Sequence, residues 1–278
     1  MRCLLFPGQG VQRRGMGGDV FEEFQELTAA ADEILGYSIE ELCLRDERRR
    51  LRDTRYVQPA VFFVNALHAL RHLARHDEPY EYFAGHSLGE YNALAAAGCL
   101  DVLEGLALVK KRAELMANVT GGGMAAVIGL PAQVIERVIQ ETGQTDVHVA
   151  NYNSDRQTTI AGDRKQLAKA TSALATFPGV RVVPINVSGP FHSPLMEPAA
   201  AAFSDYLRNH MFKPGNGIVV SSVTGEPFPQ HCGAGLLSRQ LTGPVQWVRA
   251  IRFLRTAGVA QFVEINGTTL TSMIEGIS

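Results

Sequence analysis

The chain has 278 residues, 46% hydrophobic and 19% charged, with 26 basic against 28 acidic side chains. That balance argues against a dedicated nucleic-acid or membrane-surface binder, which carries a basic excess, and a chain this long buries enough surface to fold without disulfides or metals. Cys3, Cys43, Cys99 and Cys232 lack metal-ligand spacing, no run approaches a membrane span, and the N-terminus has no signal-peptide core, so the expectation is a soluble cytoplasmic protein with reduced thiols and no metal site.

In chain order, residues 2–6 read as a buried strand closed by Pro7-Gly8. Residues 19–35 have helical apolar spacing, with Asp19 as cap and Gly36 as stop. Pro59 suits the first turn of a helix over 59–75. A short strand, Tyr80–Ala84, runs into Gly85-His86-Ser87-Leu88-Gly89, followed by an Ala-rich helix over 90–97 and another over 101–118. Strand, turn and helix in that order point to an α/β fold. Residues 123–130, 131–142, 146–151, 157–162, 163–177 and 180–187 then read β-α-β-β-α-β, the ferredoxin-like split arrangement, as a compact insert over 123–187. Helix returns at 194–210, strand at 217–223, helix at 247–257 and strand at 260–265.

A GxSxG string has little specificity alone; its place between a strand and a helix is what a nucleophile elbow requires. There the sharp turn exposes the Ser87 hydroxyl, and the Leu88 N–H at a helix start can face an oxyanion. A plain strand-to-helix turn is the alternative. A serine nucleophile needs a base. His148 alternates within a strand and reads as structural, and His210 at a helix end reads as a solvated cap. His231, in a Pro/Gly loop, stays open on spacing. His192 sits in Ser188-Gly189-Pro190-Phe191-His192-Ser193-Pro194, a loop stiffened by two prolines and suited to hold a catalytic side chain.

Eight ordered blocks carry a resemblance over essentially the whole length. They are Phe6-Pro7-Gly8-Gln9-Gly10, Gln58-Pro59-Ala60, Gly85 to Tyr91, Lys110 to Met116, Gly123 to Val127, Asn151 to Ser154, Phe191-His192-Ser193 with Met196, and Pro244-Val245-Gln246-Trp247. The chain resembles the malonyl-CoA:acyl-carrier-protein transacylase family, in particular the discrete, trans-acting acyltransferases of polyketide synthases. The resemblance implies an α/β-hydrolase-like large core, residues 1–122 and 188–278, with the ferredoxin-like subdomain at 123–187. It implies Ser87 as nucleophile and His192 as base, with the Gln9 and Leu88 N–H groups as oxyanion hole and the Gln246 carbonyl orienting His192. Arg112 would hold the malonyl carboxylate, although by pattern alone it reads as a solvated helix residue. His86 would shape the pocket. Phe191 would favour malonyl over methylmalonyl, with core packing as its other reading.

The implied reaction moves a malonyl group from malonyl-CoA to Ser87, then to the phosphopantetheine thiol of an acyl carrier protein, for polyketide or fatty-acid synthesis. It needs no cofactor beyond the CoA thioester substrate, and involves no nucleic acid and no membrane. The alternatives are a hydrolase of the same fold that edits acyl carrier proteins, and a discrete acyltransferase for a different acyl group; such hydrolases tend to lack the arginine. A non-catalytic docking protein is a third reading, opposed by the intact Ser87, His192 and Arg112. Two departures stand out: the loop Gly189-Pro190-Phe191-His192, and Asn266 in Ile265-Asn266-Gly267, where a small residue is usual. Six arginines between Arg45 and Arg55 read as a solvated face, or as a docking patch for an acidic partner.

Overall fold

The computed structural model describes residues 1–229 and 233–278. His231 and Cys232 lie outside the described residues. A four-stranded parallel sheet runs in the order β7 (Ile218–Val220), β2 (Tyr82–Gly85), β1 (Arg2–Phe6), β8 (Gln261–Glu264). Successive side chains of a strand point to opposite faces, and β1 is covered on both. Leu4 and Phe6 enter the main core, while Cys3 and Leu5 enter a second core under helix α10 (Trp247–Thr256). A central parallel strand reads as a continuous apolar run for this reason.

On the main-core side lie α1 (Gln25–Leu35), α2 (Ile39–Arg45), α3 (Thr54–Arg75), α4 (Gly89–Ala96) and α5 (Val102–Ala117). Asp101 starts α5 through a capping box with Glu104, which satisfies N–H groups the first turn leaves open. The helix expected over 19–35 is broken at Phe24 (φ −128°, ψ 43°), and only Gln25–Leu35 is α-helical after a 3-10 turn at Phe21–Phe24. Asp19 therefore caps nothing; its carboxylate pairs with Arg71 at 2.5 Å. The helix expected to begin at Pro59 begins five residues earlier, because Asp53 caps it by accepting from the Arg55 N–H.

The second sheet is antiparallel, in the order β4 (Val147–Ser154), β5 (Gln157–Asp163), β3 (Gly122–Ile128), β6 (Arg181–Ile185). Helices α6 (Ala132–Glu141) and α7 (Arg164–Leu174) cover one face and share a core with Ala125 and Val127. Met124, alternating to the other face, joins the main core. The element sequence is β-α-β-β-α-β, and the protein is an α/β fold with a large parallel core and a ferredoxin-like second sheet. Strand β4 stitches the two together: the Tyr152 N–H donates to the Val245 carbonyl at 2.9 Å and the Val245 N–H to the Ala150 carbonyl at 2.8 Å. The chain closes through α8 (Glu197–Leu207), α9 (Gly233–Thr242), α10 and α11 (Thr269–Glu275). No helix among the described residues is long and apolar enough to cross a membrane.

Candidate active site

Ser87 sits between β2 and α4 with φ 53°, a left-handed conformation that costs a non-glycine residue about 1–2 kcal/mol. The turn closes only because its neighbours lack side chains. A Cβ on Gly85 would fall 2.0 Å from the Gly89 carbonyl carbon, and one on Gly89 would fall 2.0 Å from the Phe6 oxygen. Gly8 is equally constrained: its Cβ would lie 2.5 Å from the His86 oxygen and 3.6 Å from the Leu88 nitrogen. The Pro7–Gly10 loop that carries Gln9 is thus pressed against the elbow, beside the buried Leu88.

His192, 105 residues away in sequence, places Nε2 2.7 Å from Ser87 Oγ. Its own φ is 60°, so both members of the pair occupy strained backbone. The His192 loop is latched to the end of α9 at two points. The His192 N–H donates to the Leu241 carbonyl at 3.1 Å, and Nδ1 bonds the Gln240 carbonyl at 2.7 Å. A carbonyl only accepts, so Nδ1 carries the proton and Nε2 is left free to accept from the serine hydroxyl. Burial, and then the Arg112 charge, push the His192 pKa down to about 3, which keeps the ring a neutral base.

The orienting carbonyl is a correction to the sequence expectation. Gln246 does not contact His192; its N–H donates to the Ser222 carbonyl at 2.7 Å and it stands ahead of α10. Gln240 serves because its helical hydrogen-bond partner, four residues on, is Pro244, which has no N–H. The freed carbonyl turns to the imidazole.

Arg112 projects from α5 and is 1% exposed, so its reading as a solvated helix residue is corrected. Nη1 donates to Gln58 Oε1 at 2.6 Å, and Nη2 to Gln240 Oε1 at 2.9 Å and to Ser87 Oγ at 3.2 Å. Its buried Nε has no hydrogen-bond partner among the described residues. Desolvation lowers its pKa from the usual arginine value. No carboxylate pairs with it directly among the described residues. Gln58, Glu90 and Gln240 complete the site and were missed. Gln58 and Glu90 fall within the blocks Gln58-Pro59-Ala60 and Gly85 to Tyr91 with no role of their own, and Gln240 falls in a stretch with no predicted element.

His86 bonds Asn153 Oδ1 through Nε2 at 2.9 Å and meets Trp247 edge-on at 5.8 Å; burial lowers its pKa. Phe191 is 5% exposed and lies in the main core. A cleft of 380 Å³ opens at His192, lined by Pro194 and Pro244 on one side and by His148 and Tyr152 on the other. His210 bonds the Tyr206 carbonyl at the end of α8. The departure at Asn266 has a structural role: at φ 57° it donates to Asn65 Oδ1 at 3.1 Å, and Asn65 donates to the Pro7 carbonyl at 3.1 Å. Among the clustered arginines, Arg45, Arg48, Arg49, Arg52 and Arg55 are exposed, and Arg50 lies 5.0 Å over the Tyr56 ring.

Residues 3–274 match the family model described as an acyl transferase domain. The chain is 45% identical to the polyketide biosynthesis protein PksE of Bacillus subtilis over its whole length, and spans 36% of that protein. It is 42% identical to the polyketide biosynthesis malonyl CoA-acyl carrier protein transacylase PksC of Bacillus subtilis, covering 100% of this chain and 97% of PksC. The crystal structure of the malonyl CoA-acyl carrier protein transacylase from Burkholderia pseudomallei superposes with a TM-score of 0.95 at 39% identity, covering 99% of this chain and 97% of that one.

Proposed function

The chain belongs to the acyl transferase domain family, and on that premise we propose that it moves a malonyl group from malonyl-CoA to the phosphopantetheine thiol of an acyl carrier protein. The observation that carries this reading is the convergence on one atom: Ser87 Oγ lies 2.7 Å from His192 Nε2 and 3.2 Å from Arg112 Nη2. A nucleophile, its base and a buried cation for a free carboxylate are what malonyl transfer asks for.

In the first half, His192 Nε2 takes the hydroxyl proton as Ser87 Oγ attacks the thioester carbonyl. The Gln9 and Leu88 N–H groups are assigned to the oxyanion, supported by the packing of the Gly8 loop on the elbow. The imidazolium returns its proton to the departing CoA thiolate. In the second half the carrier thiol gives its proton to His192 and attacks the malonyl-serine ester; the ester C–O bond breaks, and the imidazolium returns the proton to the departing Ser87 oxygen. Arg112 holds the malonyl carboxylate throughout, using donors that no protein carboxylate claims. The chemistry asks for no resident cofactor. The catalytic cleft would lie between residues 1–122 with 188–278 and residues 123–187, a division supported by the separate antiparallel sheet. A cytoplasmic setting belongs to the same reading, supported by the free thiols of Cys3, Cys43 and Cys99. Polyketide synthesis is favoured over fatty-acid synthesis by the likeness to PksC.

An editing hydrolase of the same fold would share the Ser87–His192 pair but has no use for a buried cation beside the nucleophile. Partition of the label from malonyl-CoA in the presence of holo carrier protein tests this. Malonyl-carrier protein is the expected product; free malonate as the main product would favour hydrolysis.

A further inference from the structure

Glu90, in the first turn of α4, is 0% exposed, and the mechanism above gives it no task. A buried carboxylate is costly unless it is held by donors. Here Oε2 accepts from Ser222 Oγ at 2.6 Å and from Gln240 Nε2 at 2.5 Å, while Oε1 has no partner among the described residues. The other end of the Gln240 amide, Oε1, accepts from Arg112 Nη2 at 2.9 Å. A buried carboxyl group, whose pKa burial raises, and a buried guanidinium are therefore joined through one amide.

That amide has two ends and could be turned either way. Arg112 offers only donors, so a grip on it requires the Gln240 oxygen. At the opposite end the Gln240 NH₂ donates to Glu90 Oε2 at 2.5 Å, its shortest contact, and also to the Ser87 carbonyl at 3.1 Å and Ser222 Oγ at 3.2 Å. The two demands agree, and the amide is locked. If Glu90 lost its preference for a donor, the flipped amide would turn its NH₂ against the guanidinium. A direct Glu90–Arg112 ion pair would hold the arginine too, but would compete with an incoming carboxylate. The interposed amide leaves the guanidinium open toward Ser87.

We propose that Glu90 is a positioning residue for substrate selection, which fixes the Gln240 amide and through it the Arg112 guanidinium that receives the carboxylate of a dicarboxylic acyl group. This rests on the reading of Arg112 given above. The Glu90 carboxyl group bonds neither the Ser87 hydroxyl nor His192, only the Glu90 main-chain N–H meeting Ser87, at its carbonyl at 3.0 Å, and the main-chain carbonyl of Gln240 that orients His192 is separate from its side-chain amide. Losing Glu90 should therefore weaken handling of malonyl without disabling acyl transfer as such.

The test compares Glu90→Gln, Ser222→Ala and Arg112→Ala with wild type, using malonyl-CoA and acetyl-CoA and reading kcat and KM for each. Glu90→Gln keeps the volume but faces one amide with another, so the residue at 90 no longer demands the Gln240 NH₂. It is expected to lower kcat/KM for malonyl-CoA by about tenfold, through KM in large part, the scale of one buried hydrogen bond, and to change acetyl-CoA by less than about threefold. A purely structural role would lower both substrates together. Ser222→Ala, which removes one holder of Glu90, should shift the malonyl-to-acetyl ratio in the same direction by less, and decides the matter if Glu90→Gln does not fold. An unchanged ratio in the folded variants, with the ratio lost in Arg112→Ala, overturns the role of Glu90 and leaves the reading of Arg112 standing. A ratio unchanged in Arg112→Ala as well overturns both.

Discussion

The Gln240 carbonyl receives the His192 Nδ1 proton at 2.7 Å because Pro244, four residues on, has no N–H to claim it. A missing donor at the end of α9 thereby does the work that an aspartate does in a three-membered triad: it fixes the tautomer and the ring orientation. It brings no negative charge to the imidazolium. The positive Arg112 nearby works against that ion as well, and burial adds to both effects, so the resting base is firmly neutral.

The sign of the pH dependence follows. With the His192 pKa pushed down to about 3, the base is unprotonated across the working range. Acylation by malonyl-CoA should show no acid limb between about pH 7 and pH 5. Removing the guanidinium in Arg112→Ala removes a positive charge beside the ring, favours imidazolium and raises its pKa. The acid limb for acetyl-CoA should then move to higher pH than in wild type. Steady-state profiles with acetyl-CoA check this, and a limb that stays put or moves lower contradicts it.

The elbow glycines differ sharply from an exposed one. Gly89→Ala would drive a Cβ to 2.0 Å from the Phe6 oxygen, a backbone atom that cannot yield. It should cost about 3 kcal/mol or more, or prevent folding. Gly235, exposed in α9 with nothing within 4 Å of its Cβ position, should gain about 0.5–1 kcal/mol as alanine through helix propensity. Urea unfolding of the two variants measures both.

Asn266 tolerates its left-handed backbone and ties the end of β8 to Asn65, and so to Pro7. Asn266→Ala should cost about 1–2 kcal/mol, from the lost hydrogen bond and the strain of alanine at positive φ. Asn266→Gly keeps the backbone easy and should cost less. Denaturant midpoints for the pair decide it; equal midpoints would mean that backbone strain at 266 carries no weight.

The exposed Arg48 and Arg49 offer a surface to an acidic partner. Reversing both to Glu should raise the KM for carrier protein several-fold at low salt, mainly through the on-rate, and leave acylation by malonyl-CoA unchanged. An unchanged KM at low salt would assign the cluster to solvation alone.

Ser87 was legible because the elbow writes itself into small residues: the glycines at 85 and 89 are there because no Cβ fits. The proline-stiffened loop marks His192 only as a candidate beside His231; the family resemblance is what assigns it as base. The insert was legible from alternating strands and amphipathic helices. Arg112 was not, since a helix bearing Lys110 and Lys111 looks solvated until α3 and α9 cover it. Gln240 was hidden for two reasons: α9 opens with Gly233 and Gly235, which mask its periodicity, and a main-chain carbonyl carries no side-chain signature. Pro244 was the readable clue, yet the orienting role was set on Gln246, two residues past it. Helices α2 and α11, of seven residues each, were too short to show a helical period.

The central claim is that Ser87 carries the malonyl group between donor and acceptor. Intact-mass and peptide mass spectrometry after brief exposure to malonyl-CoA, without carrier protein, tests it most directly. The account predicts one malonyl adduct, mapped to Ser87, absent in Ser87→Ala and discharged when holo carrier protein is added. No adduct on the wild-type enzyme, or an adduct that persists in Ser87→Ala, would contradict it.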